Sequence, residues 1–92
     1  MHLVVCYDIV QNRRRARLLK FMKGYLTRVQ KSVFEGDLHE KDFEPLKSRL
    51  AKLIDPEIDT VRIYHLCGRC QPATDIVGLG VFVETEEDDI VL

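Results

Sequence analysis

No apolar run in the sequence approaches the roughly 20 residues that a helix needs to cross a bilayer. Residues 1–8 also lack the basic start, apolar stretch and small-residue cleavage site of a secretion signal. Both absences point to a cytoplasmic protein with no membrane partner. Cysteine is scarce and odd in number, three in 92 residues, which in such a chain argues for reduced thiols and against a disulfide framework. Cys67 and Cys70 have CxxC spacing, but no second pair follows to complete the four ligands of a structural zinc. His65 and a partner's cysteines could complete it; a turn with two free thiols is the competing reading, and no required metal is expected there. His2 and His39 have no matching cysteine or serine, so a hydrolase triad is not supported. Repeats and low-complexity segments are absent too. The chain reads as one unit, a core over residues 1–67 with a C-terminal segment over 68–92, small enough that burial alone leaves it marginally stable.

Acids are rare in the first part of the chain. Residues 1–36 hold eight of the fourteen Lys and Arg but only Asp8 and Glu35 among fifteen acids, an asymmetry that the net charge of -1 hides. Such a division suits contact with a polyanion on one face. Arg13, Arg14, Arg15, Arg17, Lys20, Lys23, Arg28 and Lys31 form the basic cluster. Phosphate contact is one reading and a solvated helix face the other, with the scarcity of interspersed acids favouring phosphate. No ordered base-reading motif accompanies the cluster. Phe34 could stack on a base or belong to the core.

Periodicity divides the chain. Leu3 to Ile9 reads as a central strand, with Leu3, Val5, Tyr7 and Ile9 on one face and Val4, Cys6 and Asp8 on the other. Leu18, Leu19, Met22, Tyr25 and Leu26 give the stripe of a helix from about Arg13 to Tyr25, with Asn12 as its N-cap. At about 100° per residue Arg13, Arg17, Lys20 and Lys23 fall on the wet face, whereas Arg15 lies within the apolar stripe, where it can reach past the end of the sheet. Residues 27–38 read as two short strands bending near Lys31 and Ser32, or as one bent strand. Phe43, Leu46, Leu50, Leu53 and Ile54 mark a second helix from about Asp42 to Ile54, its first turn tolerant of Pro45, and residues 59–66 form a last strand. The order β, α, β, β, α, β predicts an α+β sandwich with both helices on one face of an antiparallel sheet.

Two helices leave the other sheet face bare. An apolar face carrying Val4 and Cys6 predicts a partner, most economically a second copy across a two-fold axis. Residues 75–80 and the final DDIVL resemble short strands that could pair with an edge of that copy's sheet. A symmetric dimer of this kind would bring Asp8 near its own copy. Two close carboxylates favour a shared proton or a divalent cation, and a hard cation with retained waters suits phosphodiester hydrolysis. The plainer reading makes Asp8 a cap of the following turn or helix.

The segments VVCYDI, RRRAR, RVQKSVFEG and DTVRIYHL followed by LCGRC resemble the CRISPR-associated protein two family, and the resemblance runs over essentially the whole chain. It implies a ferredoxin-like βαββαβ fold, a homodimer built on the bare sheet face, and C-terminal strands that dock on the other subunit. It also implies two functions. One is Mg²⁺-dependent endonuclease activity on RNA or double-stranded DNA, with Asp8 holding the metal and Tyr7, Arg15, Arg17, Arg28 and Phe34 at the matching site positions. The other is a central dimer that bridges two dimers of the CRISPR integrase partner during spacer acquisition, where cleavage is dispensable. Lys31 and the segment GLGVFVETEEDD fall in regions where the family varies. A non-catalytic, nucleic-acid-binding dimer of the same fold is the alternative.

Overall fold

The computed structural model describes residues 1–69 and 74–78. Its elements are β1 (His2–Asp8), α1 (Asn12–Met22), β2 (Thr27–Gln30), β3 (Val33–Asp37), α2 (Glu40–Leu53) and β4 (Thr60–Leu66). Alternation in β1 sends Leu3, Val5 and Tyr7, then Ile9, into a core where none is more than 5% exposed. Leu18, Leu19 and Met22 of α1 and Leu46 and Leu50 of α2 meet them there. The sheet order is β2-β3-β1-β4, antiparallel throughout, and both helices lie over the face of Leu3, Val5 and Tyr7. The expected α+β, ferredoxin-like βαββαβ sandwich is therefore present.

Several boundaries differ from those predicted, for local reasons. Helix α1 stops at Met22 rather than Tyr25, because Gly24 follows and the chain must turn there to bury Leu26 and begin β2. Tyr25 consequently leaves the apolar stripe; it is exposed and packs its ring on Phe21 at 5.1 Å between centroids. The N-cap is Gln11, which supplies no side-chain cap, and Asn12 is already helical. Helix α2 begins at Glu40, two residues early, because the His39 ring accepts a hydrogen bond from the Lys41 amide and Glu40 and Asp42 suit the helix N-terminus. Pro45 thus lies two residues further in than expected, where it forgoes a bond to the carbonyl four residues back.

The hairpin from β2 to β3 turns at Lys31 and Ser32, which decides for two strands over one bent strand, with an irregularity between Arg28 and Gln30. Residues 74–78 lie in no helix or strand of the single chain. Residues 70–73 and 79–92 lie outside the described residues, and with them Cys70, the second cysteine of the CxxC pair, and the expected terminal strand, while Cys67 is exposed. No described helix is long and apolar enough to cross a membrane.

Candidate nucleic-acid interface

Strand β1 puts Asp8 on the face opposite the core, together with His2, Val4 and Cys6. Val4 and Cys6 are half-buried and Asp8 is exposed. This face is more mixed than expected. Cys6 pairs across the ladders with Val33 and Arg62, Val4 with Glu35 and Tyr64, and His2 with Asp37 and Leu66. Its far end is closed by His2, whose Nδ1 lies 3.0 Å from Asp37 and whose Nε2 lies 3.1 Å from Glu35. Both nitrogens can donate at once only when the ring is an imidazolium. Burial alone would lower the pKa of His2, but the hydrogen bonds to Asp37 and Glu35 outweigh it and raise the value above the usual 6.5.

At the other end of β1, the Asp8 side chain makes no hydrogen bond or ion pair among the described residues. It does not cap the following turn or α1. Asp59 holds that turn instead: its carboxylate accepts from the Val10 amide at 3.0 Å, the Asp55 amide at 2.8 Å, and Arg14 through Nε at 2.7 Å and Nη2 at 3.3 Å. The Arg14 guanidinium holds the Asp59 carboxyl far below the ordinary carboxylate range; burial opposes that effect and the two backbone donors reinforce it. Asp59 immediately precedes Thr60, the register partner of Asp8. The sequence reading placed Asp59 in the last strand and missed this role. Its one signal was position, in a short loop after Pro56 and before a β-rich run.

The arginines of α1 divide into two groups. Arg14 faces Asp59. Arg15 reaches past the end of the sheet, as its bearing predicted, and donates to the Ile9 carbonyl from Nη2 at 2.9 Å and Nε at 3.2 Å, and to Asn12 Oδ1 at 2.8 Å. Both therefore fix the chain that follows Asp8. Arg13, Arg17 and Lys20 are exposed along the outer face of α1. No acid stands in the first turn of this helix, whose positive end disfavours the arginines placed there. Partners at Asp59 and at the carbonyls offset that cost for Arg14 and Arg15.

Three of the residues expected to act on substrate are buried. Phe34 has no exposed surface and lies tilted against Tyr7, with ring centroids 6.1 Å apart, so it is core and not a stacking platform in the single chain. Tyr7 is 5% and Arg28 7% exposed. The Tyr7 hydroxyl and Arg28 Nη2 each donate to the Lys31 carbonyl at 2.7 Å, and Arg28 Nε does so at 3.2 Å. The structure thus gathers Tyr7, Arg28 and Phe34 beneath the turn next to Asp8, and Arg13, Arg17 and Lys20 on the helix beyond it. Among the described residues no group of three His, Cys, Asp or Glu side chains could hold a metal ion.

Comparison with known proteins shows the family and the fold. Residues 1–73 match the sequence profile of CRISPR associated protein Cas2. A CRISPR-associated endoribonuclease Cas2 of Chloroflexus aurantiacus is 43% identical over 81 residues, 88% of this chain and 87% of that protein. One from Thermus thermophilus is 36% identical over 91 residues, 99% of this chain and 97% of its own length. The crystal structure of Streptococcus pyogenes Cas2 at pH 6.5 superposes with a TM-score of 0.73 at 34% identity, covering 85% of this chain and all of that one. The chain belongs to the CRISPR associated protein Cas2 family.

Proposed function

We propose that the protein serves in CRISPR adaptation as a homodimer formed through the open sheet face, bridging two dimers of an integrase partner, and that the isolated dimer cleaves RNA or double-stranded DNA with Mg²⁺. The observation that carries this reading is Asp8. It is an exposed carboxylate without a donor in its own chain among the described residues, at the end of a half-buried sheet face and beside a helix bearing Arg13, Arg17 and Lys20. A two-fold partner on that face covers Val4 and Cys6 and brings a second Asp8 near the first.

One chain supplies one carboxylate, which does not make a metal site by itself. Two Asp8 carboxylates with waters fit Mg²⁺, a hard cation that keeps much of its hydration and takes one or two protein carboxylates. When bound, the ion would activate a water and neutralise charge on the scissile phosphate. The protein's own side chains do the rest: Arg13, Arg17 and Lys20 engage phosphates without reading bases, while Arg15 and Asp59 hold the backbone after Asp8 in place. The name endoribonuclease, carried by relatives in Chloroflexus and Thermus, supports RNA cleavage as an activity of the isolated dimer.

The test is Asp8→Asn. Bridging is expected to survive it, with assembly on the integrase and spacer acquisition intact, while Mg²⁺-dependent cleavage falls by orders of magnitude. Acquisition lost despite an intact integrase complex would make the catalytic role the cellular one. A protein that stays monomeric in solution and binds no integrase would overturn the bridge.

A further inference from the structure

We infer that the Lys31–Ser32 turn is a second phosphate-contacting element, on the opposite side of Asp8 from α1, and that Tyr7 and Arg28 act as positioning residues that hold it there. The inference rests on the nucleic-acid reading above and adds to it a second contact and a new role for two buried side chains.

Three observations converge on the turn. The first is its place. Val33 pairs with Cys6, and the Tyr7 amide donates to the Ser32 carbonyl at 3.1 Å, so the turn runs beside the last residues of β1 and next to Asp8. The second is its conformation. Gln30 pairs with Val33, so Lys31 and Ser32 form a two-residue hairpin loop. The turn types that match strand twist in such loops need positive φ, yet no described residue other than glycine has it. This hairpin is therefore closed against its local preference. The third is what closes it. One backbone carbonyl, that of Lys31, accepts three bonds from the buried Tyr7 hydroxyl and Arg28 guanidinium. Burying a guanidinium to hold one turn is costly, whereas an Asn-Gly loop would close the hairpin with no such help. A local rule broken at this expense, beside an exposed carboxylate, marks a turn whose position matters.

The turn presents the exposed side chains of Lys31 and Ser32, an ammonium and a hydroxyl. Both bind phosphate oxygens without reading sequence. With Arg13 and Arg17 on the α1 side, a nucleic-acid backbone lying across Asp8 is held from both flanks. Tyr7 and Arg28 touch no substrate; they set where Lys31 stands.

The experiment measures binding of a labelled mixed-sequence DNA duplex by fluorescence anisotropy over a range of salt. It compares the unaltered protein with Arg17→Ala, Lys31→Ala, Tyr7→Phe and the Tyr7→Phe/Lys31→Ala pair. Losing one phosphate contact flattens the slope of log K against log salt by about 0.9. Lys31→Ala is expected to give about that change for each turn engaged, and Tyr7→Phe a smaller loss that disappears in the Lys31→Ala background. A purely structural Tyr7 would instead lower affinity equally in both backgrounds, which would overturn its positioning role. Lys31 is exposed, so Lys31→Ala carries the test even if Tyr7→Phe unfolds. A slope reduced by Arg17→Ala but unchanged by Lys31→Ala would overturn the inference and leave the nucleic-acid reading standing. Binding of neither the duplex nor a single-stranded RNA of the same length by the unaltered protein would overturn both.

Discussion

Asp8 and Asp59 stand at the same end of the sheet, one residue apart across the β1–β4 ladder, and they have opposite environments. The Asp59 side chain is fully buried and takes four hydrogen bonds from three segments. Asp8 is exposed and takes none from the described residues of its own chain. A buried carboxylate with this many donors is a fastener: it ties the turn after β1, the start of α1 and the loop before β4 into one piece. With that fastener present, the fold does not need Asp8, and an acid the fold does not need is available for chemistry or for a partner.

The largest effect expected follows from breaking the fastener. Asp59→Ala strands the Val10 and Asp55 amides and leaves Arg14 half-buried without its carboxylate. Orphaned buried donors and an unpaired charge are among the most damaging single changes. We expect thermal melting to fall on the order of 10 °C for a domain this small. The same change at Asp8 should leave the melting temperature within about 2 °C, since surface positions away from such features are close to neutral. Equal losses at the two sites would sink the comparison.

The arginines sharpen it at a smaller scale. Arg14→Ala should lower the melting temperature measurably, because it releases Asp59, and Arg15→Ala should do so less, because its partners are backbone carbonyls that water can serve. Arg13→Ala and Arg17→Ala should leave melting unchanged and weaken duplex binding several-fold at low salt, an effect that fades as salt rises. If Arg14→Ala weakens binding as much as Arg17→Ala without lowering the melting temperature, the division between fastening and contacting arginines is wrong.

What was legible in the sequence tracks what is local. Alternation in residues 3–9 and the 3.6-residue stripes of both helices identified the elements and the core-facing side chains, because each depends only on neighbours along the chain. The bearing of Arg15 within the apolar stripe even gave its reach past the sheet. Partners fixed by register were not legible. Nothing in the sequence shows that residue 59 meets residues 10 and 14, that His2 lies between Glu35 and Asp37, or that Tyr7 and Arg28 converge on one carbonyl 24 and three residues away. Phe34 shows the same limit: the sequence allowed a core residue or an aromatic offered to a base, and the structure buries it in the core.

The smallest expected effect concerns the far end of β1, where a charge pair offers a contrast with Asp59. The His2 ring is nearly buried, but Asp37 beside it is largely exposed and Glu35 partly so, and solvent weakens such pairs. Burial works to lower the pKa of His2 in the folded chain, yet the hydrogen bonds to Asp37 and Glu35 prevail and raise it. A group whose folded pKa is raised contributes stability that is fully present below its unfolded value of about 6.5, and the contribution is lost as pH rises through the higher folded value. Melting of the unaltered protein should therefore decline slightly from about pH 6 to about pH 8. His2→Gln should remove that part of the slope, since a glutamine side chain can donate to a carboxylate but does not titrate in this range. Asp59 should contribute nothing to the same window, because its depressed pKa confines its stabilising effect to loss at strongly acid pH. A slope across that window that persists unchanged in His2→Gln would show that the ring is not held as an imidazolium between the two acids.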